Sequence, residues 1–136
     1  MQRSATSPEL VTAIENHLVE TEGHVERLLK IFDLLGEKPQ AKKCDAMEGL
    51  TKEGEGIIES TEAGTATRDV GIILASQKVE HYEIATYGGL AQLATTLGLA
   101  DVAAILAETL AEEKNADQLL TQVAEKNINF KAAEEA

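Results

Sequence analysis

The stretch Ile72-Ile73-Leu74-Ala75-Ser76-Gln77-Lys78-Val79-Glu80-His81-Tyr82-Glu83-Ile84-Ala85-Thr86-Tyr87 reads as the middle of a long helix whose inner face mixes apolar and acidic residues. At roughly 100° per residue, Ile73, Ser76, Glu80, Glu83 and Tyr87 fall on one stripe that Leu90 and Ala94 extend, and Ile72, Val79 and Tyr82 form its neighbour. The spacing predicts a helix over 67–97, stopped by Gly98. The same period recurs on either side. Leu10, Ile14, His17, Thr21, His24, Leu28, Ile31 and Leu35 alternate steps of four and three, predicting a first helix that Gly36 ends and that Thr6 and Glu9 open as a capping box. Val102, Leu106, Leu110, Glu113, Asp117, Leu120 and Ala124 predict a third long helix over 101–126, with Asp101 suited to its N-terminus. Between the first two lies a connection that begins at Lys38-Pro39 and holds a shorter helix over 42–60, softened by Gly54 and Gly56. Residues 127–136 are expected to form a flexible acidic tail. The fold class is therefore all-α: one domain over 1–136, a ferritin-like helical bundle of three long helices plus a shorter crossover helix. Three long helices leave a groove, so a partner chain is expected to complete the bundle.

Composition narrows the function. The 136 residues carry a formal net charge of -12, which repels phosphate backbones and excludes nucleic acid as a partner. No apolar run approaches the roughly 20 residues needed to span a bilayer, and the N-terminal residues lack the apolar stretch of a secretory signal. A cytoplasmic protein without membrane contact is expected. The one cysteine, Cys44, has no partner for a disulfide or a zinc finger and reads as a small buried apolar residue. No nucleophile motif and no Gly-rich phosphate loop occurs, so no catalytic residue is assigned.

The chemistry lies in polar residues on inner stripes. His17 and His24 project within about 20° of each other, with Glu20 about 60° away on the same side. Glu80, Glu83 and Tyr87 share a stripe, and Glu113 and Asp117 lie about 40° apart. Three helices thus each turn carboxylates inward, which is costly unless these groups are paired, protonated or bound to a cation. Imidazole with carboxylate suits iron, manganese or zinc, and bundle cores hold two-metal sites with such ligands. His17, Glu20, Glu80 and Glu113 are the candidate ligands, with Glu83 and Asp117 as additional ones. His24 reads more as a satisfied core residue, His81 points off the stripe toward the surface, and Glu112 reads as solvated charge. The competing reading is a metal-free polar network that sets helix register.

The string Gln77-Lys78-Val79-Glu80-His81-Tyr82-Glu83-Ile84-Ala85-Thr86-Tyr87-Gly88 resembles the YciE/YciF stress-protein family of ferritin-like domains. So do His17-Leu18-Val19-Glu20-Thr21, Val25-Glu26-Arg27-Leu28, Lys43-Cys44-Asp45-Ala46-Met47-Glu48-Gly49-Leu50, Ile58-Glu59-Ser60-Thr61 and Thr109-Leu110-Ala111-Glu112-Glu113-Lys114-Asn115-Ala116-Asp117, in family order. The resemblance implies a rubrerythrin-like bundle of bacterial origin, a link to general stress, a homo-oligomer in the form of a dimer, and a di-iron-type site related to peroxide or oxygen. Two departures stand out. The chain starts about where the second family helix begins, and no Glu is followed three residues later by His; His17-x-x-Glu20 reverses that order and Glu113-x-x-x-Asp117 replaces the second copy. The alternative is a non-enzymatic dimerisation or interaction module with a metal-free polar core, whose groove contacts would be Leu18, Val25, Leu29 and Phe32.

Overall fold

The structure, a computed structural model, describes residues 1–136 and contains helices but no strands. A short 3-10 turn at Gln2–Ser4 leads into α1, Pro8–Leu35; α2 is Asp45–Ser60, α3 Ala66–Thr96 and α4 Ala100–Val123. A π-helical stretch, Ala124–Ile128, then carries the chain into α5, Asn129–Glu134. Helix α3 is the hub: α4 lies along it, α2 packs on its first half, and α1 lies against α4. The expected architecture of three long helices and one shorter one is what the structure has.

The helix ends show where local chemistry decides. Gly36 and Gly98, at φ 67° and 74°, take the left-handed conformation that closes α1 and turns α3 into α4. The expected Thr6/Glu9 capping box is not what opens α1. The N-cap is Ser7, which makes no side-chain cap bond; the buried Asp69 of α3 accepts from the backbone N–H groups of Thr6 and Ser7 at 2.7 and 2.8 Å. A carboxylate fixed by tertiary packing outcompetes a hydroxyl that would have to bend back on its own chain. In the same way Glu135 accepts from the N–H groups of Ala66 and Thr67 at the start of α3.

Two further expectations need correction. Residues 127–136 continue as helix to Glu134 in place of a frayed tail, because Ile128 is buried in a cluster with Leu10, Ile72, Ile73, Leu120 and Ala124. The π-helical stretch inserts extra backbone, re-aiming Ile128 inward beside Ala124. Cys44 is exposed; its thiol caps α2, accepting from Met47 N–H at 3.4 Å, and lies 3.1 Å from the Tyr82 hydroxyl. Helix α2 accordingly starts at Asp45, later than expected. It packs closely on α3 at Gly71, where a Cβ would come within 2.4 Å of Ile57 Cγ2.

The apolar core is split in two. At one end lies the cluster around Leu10, Ile72 and Leu120, and at the other a second cluster of Ile31, Ala94, Val102 and Leu106. Burying each Leu, Ile or Val of these clusters stabilises the fold by about 1.5–3 kcal/mol. Between the clusters, at the midpoints of α1, α3 and α4, is a polar layer: His24, Glu80, Thr109 and Glu113 are all buried. The two apolar plugs hold three helices in register around charged groups that would otherwise force them apart.

Candidate metal centre

Helix α1 places His17 and His24 two turns apart, with ring centroids 6.2 Å from each other. Helix α3 supplies Glu80 and Glu83, and α4 supplies Glu113 between them. His17 Nε2 lies 2.8 Å from Glu80 Oε1, and His24 Nδ1 lies 2.8 Å from Glu113 Oε1. Both contacts are ion-pair contacts, and neither is aligned as a hydrogen bond. Both oxygens of Glu113, a residue with 0% exposure, therefore have no hydrogen-bond partner, and neither has Glu80 Oε2. Buried carboxylate oxygens without partners are expensive, so their persistence in a packed layer calls for a further ligand or for protons.

Two sets of donor atoms converge. His17, Glu80 and Glu113 bring ligand atoms within 4.8 Å of one another, and so do His24, Glu83 and Glu113. Glu113 belongs to both, which is the arrangement of a carboxylate shared between neighbouring cations. The donor set of imidazole nitrogen and carboxylate oxygen fits iron, manganese or zinc.

The titration behaviour follows from this crowding. Glu83 and Glu113 are both pushed up to about 8, first by burial; the nearby Glu80 adds to the shift of Glu113, and Glu113 to that of Glu83. His17 is held up at about 9 by its contact with Glu80, which outweighs the opposing effect of burial. Burial also drives the Tyr87 hydroxyl to about 12, and the Tyr87 ring stands edge-on to His24 with centroids 6.2 Å apart. Near neutral pH the layer is held together by retained protons, which are the species a cation would displace.

The expected site residues separate into three groups. Four of them, His17, Glu80, Glu83 and Glu113, meet in the layer. Glu20 stays outside both donor sets and instead holds the other ring nitrogen of His17, Nδ1, at 3.2 Å. Asp117 lies one turn further along α4, 3.2 Å from Nε2 of the exposed His81. His24, read from sequence as a core residue, is buried but also contributes to the second donor set. Glu112, read as solvated charge, bonds to Nε2 of His24 at 3.2 Å and is gripped by both terminal nitrogens of Arg27 at 2.8 and 2.7 Å. Arg27 keeps the Glu112 carboxyl below its ordinary range. The available signal for this pair was Arg27 itself, three residues after His24 and so on the same side of α1.

An all-helical bundle with a buried histidine–carboxylate layer across three helices defines the class. Residues 1–133 match the family described as Domain of unknown function (DUF892), and the chain belongs to that family. It is similar to Protein YciF of Escherichia coli (strain K12), with 45% identity over 137 residues that cover 100% of this chain and 82% of YciF. The crystal structure of the E. coli stress protein YciF superposes with a TM-score of 0.88 at 46% identity, covering 94% of this chain and 80% of that one. YcfI from Rhodopseudomonas palustris superposes with a TM-score of 0.85 at 38% identity, covering 88% and 76% of the two chains. No helix is long and apolar enough to cross a membrane.

Proposed function

We propose that this protein is a metal-binding member of its family, a bacterial stress-response protein whose polar layer holds two cations of the di-iron type. Manganese and zinc fit the same donors. The single observation that carries this reading is Glu113: fully buried, without a hydrogen bond to either oxygen, and common to both donor sets. When bound, a pair of iron ions would supply redox chemistry toward peroxide or oxygen. His17 and Glu80 would hold one position and His24 and Glu83 the other, with Glu113 between them. Binding requires His17 to yield its proton and Glu83 and Glu113 to lose theirs, so affinity rises with pH. The apolar clusters on either side of the layer keep these side chains aligned.

The decisive measurement is metal analysis of protein purified without chelator, followed by anaerobic addition of iron(II). Uptake of two ions per chain is the expected result. A stoichiometry near zero that added iron cannot raise removes the reading.

A second reading, self-association, is favoured by the outer face of α1, where Leu18, Val25 and Leu29 are 47%, 54% and 51% exposed. A run of exposed aliphatic side chains on one helix suits a dimer contact. Sedimentation at low concentration tests it, and a stable monomer counts against it. A cytoplasmic location is consistent with the single cysteine, which makes no disulfide.

A further inference from the structure

We infer that the two cation positions are unequal: the position at His24, Glu83 and Glu113 is locked and retains its ion, whereas the position at His17, Glu80 and Glu113 exchanges through an open cleft, and Arg27 with Glu112 makes the difference. This rests on the two-cation reading above and adds to it an order of retention and two positioning residues.

Each histidine is held from behind by a carboxylate, but in opposite ways. Glu112 accepts from Nε2 of His24 at 3.2 Å, which leaves Nδ1 to face Glu113 at 2.8 Å. Glu20 takes Nδ1 of His17 at 3.2 Å, which leaves Nε2 to face Glu80 at 2.8 Å. Fixing one ring nitrogen sets both the tautomer and the ring angle presented to a cation.

The supports behind these carboxylates differ. Glu112 is tied by a two-pronged guanidinium contact to Arg27, which is itself held by Glu108 at 3.0 Å and by the buried Thr109 hydroxyl at 3.3 Å. Such a fork defines the carboxylate plane, so neither Glu112 nor the buried His24 ring is free to turn. Both carboxylates are partly exposed, Glu112 at 27% and Glu20 at 34%, but Glu20 has no second partner and reaches His17 only along its own helix. A cleft of about 510 Å³ opens on this half, lined by His17, Glu20 and Glu80, whereas His24, Glu112 and Glu113 do not line it. Glu83 reaches the cleft wall as the one ligand of the locked half that does so.

Cobalt(II) is the probe, because its absorption bands report each occupied position. The metal-free protein is loaded with two equivalents, and release to excess EDTA is followed in time. The wild type should lose one ion quickly and the other slowly. Glu20→Ala should weaken only the fast position and Glu112→Ala only the slow one, each by about 10–100-fold in affinity. Arg27→Lys keeps the charge but not the fork, so it should accelerate the slow phase by less than Glu112→Ala does. If Glu112→Ala fails to fold, as judged by helicity, Arg27→Lys carries the same discrimination. Two ions leaving the wild type at one rate, or Glu20 and Arg27 variants acting on the same phase, would overturn the inference while leaving the two-cation reading intact. Failure of the wild type to bind cobalt(II) at all overturns both.

Discussion

Raising the pH from 5.5 to 9 should destabilise the metal-free protein, and the polar layer sets the slope. Glu83 and Glu113 have pKa values of about 8 in the folded chain, against an ordinary 4.5 in the unfolded one. A carboxyl raised in this way favours the fold below pH 4.5 and loses that contribution progressively up to about pH 8. His17, raised from 6.5 to about 9, contributes fully below pH 6.5 and loses its share as the pH climbs to about 9. All three shifts have the same sign: between pH 7 and 8 the folded state holds more protons than the unfolded one. One proton of difference lowers stability by about 1.4 kcal/mol per pH unit, and three would lower it by about 4 kcal/mol. Because His17, Glu83 and Glu113 lie close enough to influence one another, the slope lies between those limits. Against a total of about 5–15 kcal/mol, that is a visible loss. Urea or thermal unfolding followed by circular dichroism in EDTA, at pH 5.5, 7 and 8.5, measures it. Glu113→Gln should flatten the profile, since an amide does not titrate. Saturating divalent cation should reverse the sign, because a cation binds the deprotonated groups and stabilises only the folded chain. A midpoint that stays level or rises between pH 6 and 8 without metal would refute the reasoning, since it would mean that the three groups titrate as they do in water.

Other outcomes follow from particular contacts. Glu113→Gln should abolish uptake of both cations, whereas Glu80→Gln and Glu83→Gln should each leave one, as read by stoichiometry after anaerobic iron(II) addition. Gly71→Ala should destabilise the protein although it improves helix propensity, because its methyl would lie 2.4 Å from Ile57 Cγ2; overpacking of this kind costs about 1–3 kcal/mol. Gly23→Ala, with nothing within 4 Å, should instead stabilise by about 0.5–1 kcal/mol, and denaturant midpoints compare the two. Asp69→Ala should cost about 1–3 kcal/mol by stripping two backbone N–H groups at the start of α1 of their acceptor, seen as a lower midpoint and faster amide exchange there.

What could be read from the chain alone was what depends on helical phase. A helix turns each residue by a set angle, so the alternation from Leu10 to Leu35 or from Ile73 to Ala94 reveals an inward stripe without knowledge of its neighbours. His17, Glu80 and Glu113 sit on such stripes and Glu83 on one or at its edge, and the structure brings the four together. The elements were legible for the same reason, with ends marked by Gly36 and Gly98, whose left-handed backbone is a local property.

Tertiary structure decided everything that hangs on how far each helix is rotated and slid against the next. Glu20 and Glu112 stand off the stripes and Asp117 one turn beyond Glu113, where a small rotation or slide decides whether a carboxylate meets a cation, an imidazole or water. Periodicity could not show that Glu112 would find Arg27 on another helix, that Asp69 would cap α1 from α3, or that a π-helical stretch would return Ile128 to the core. Those contacts join residues dozens of positions apart, and their energies exist only once the helices have docked. Phase along one helix is dictated by its own backbone, but the choice among partners is made across the gap between helices.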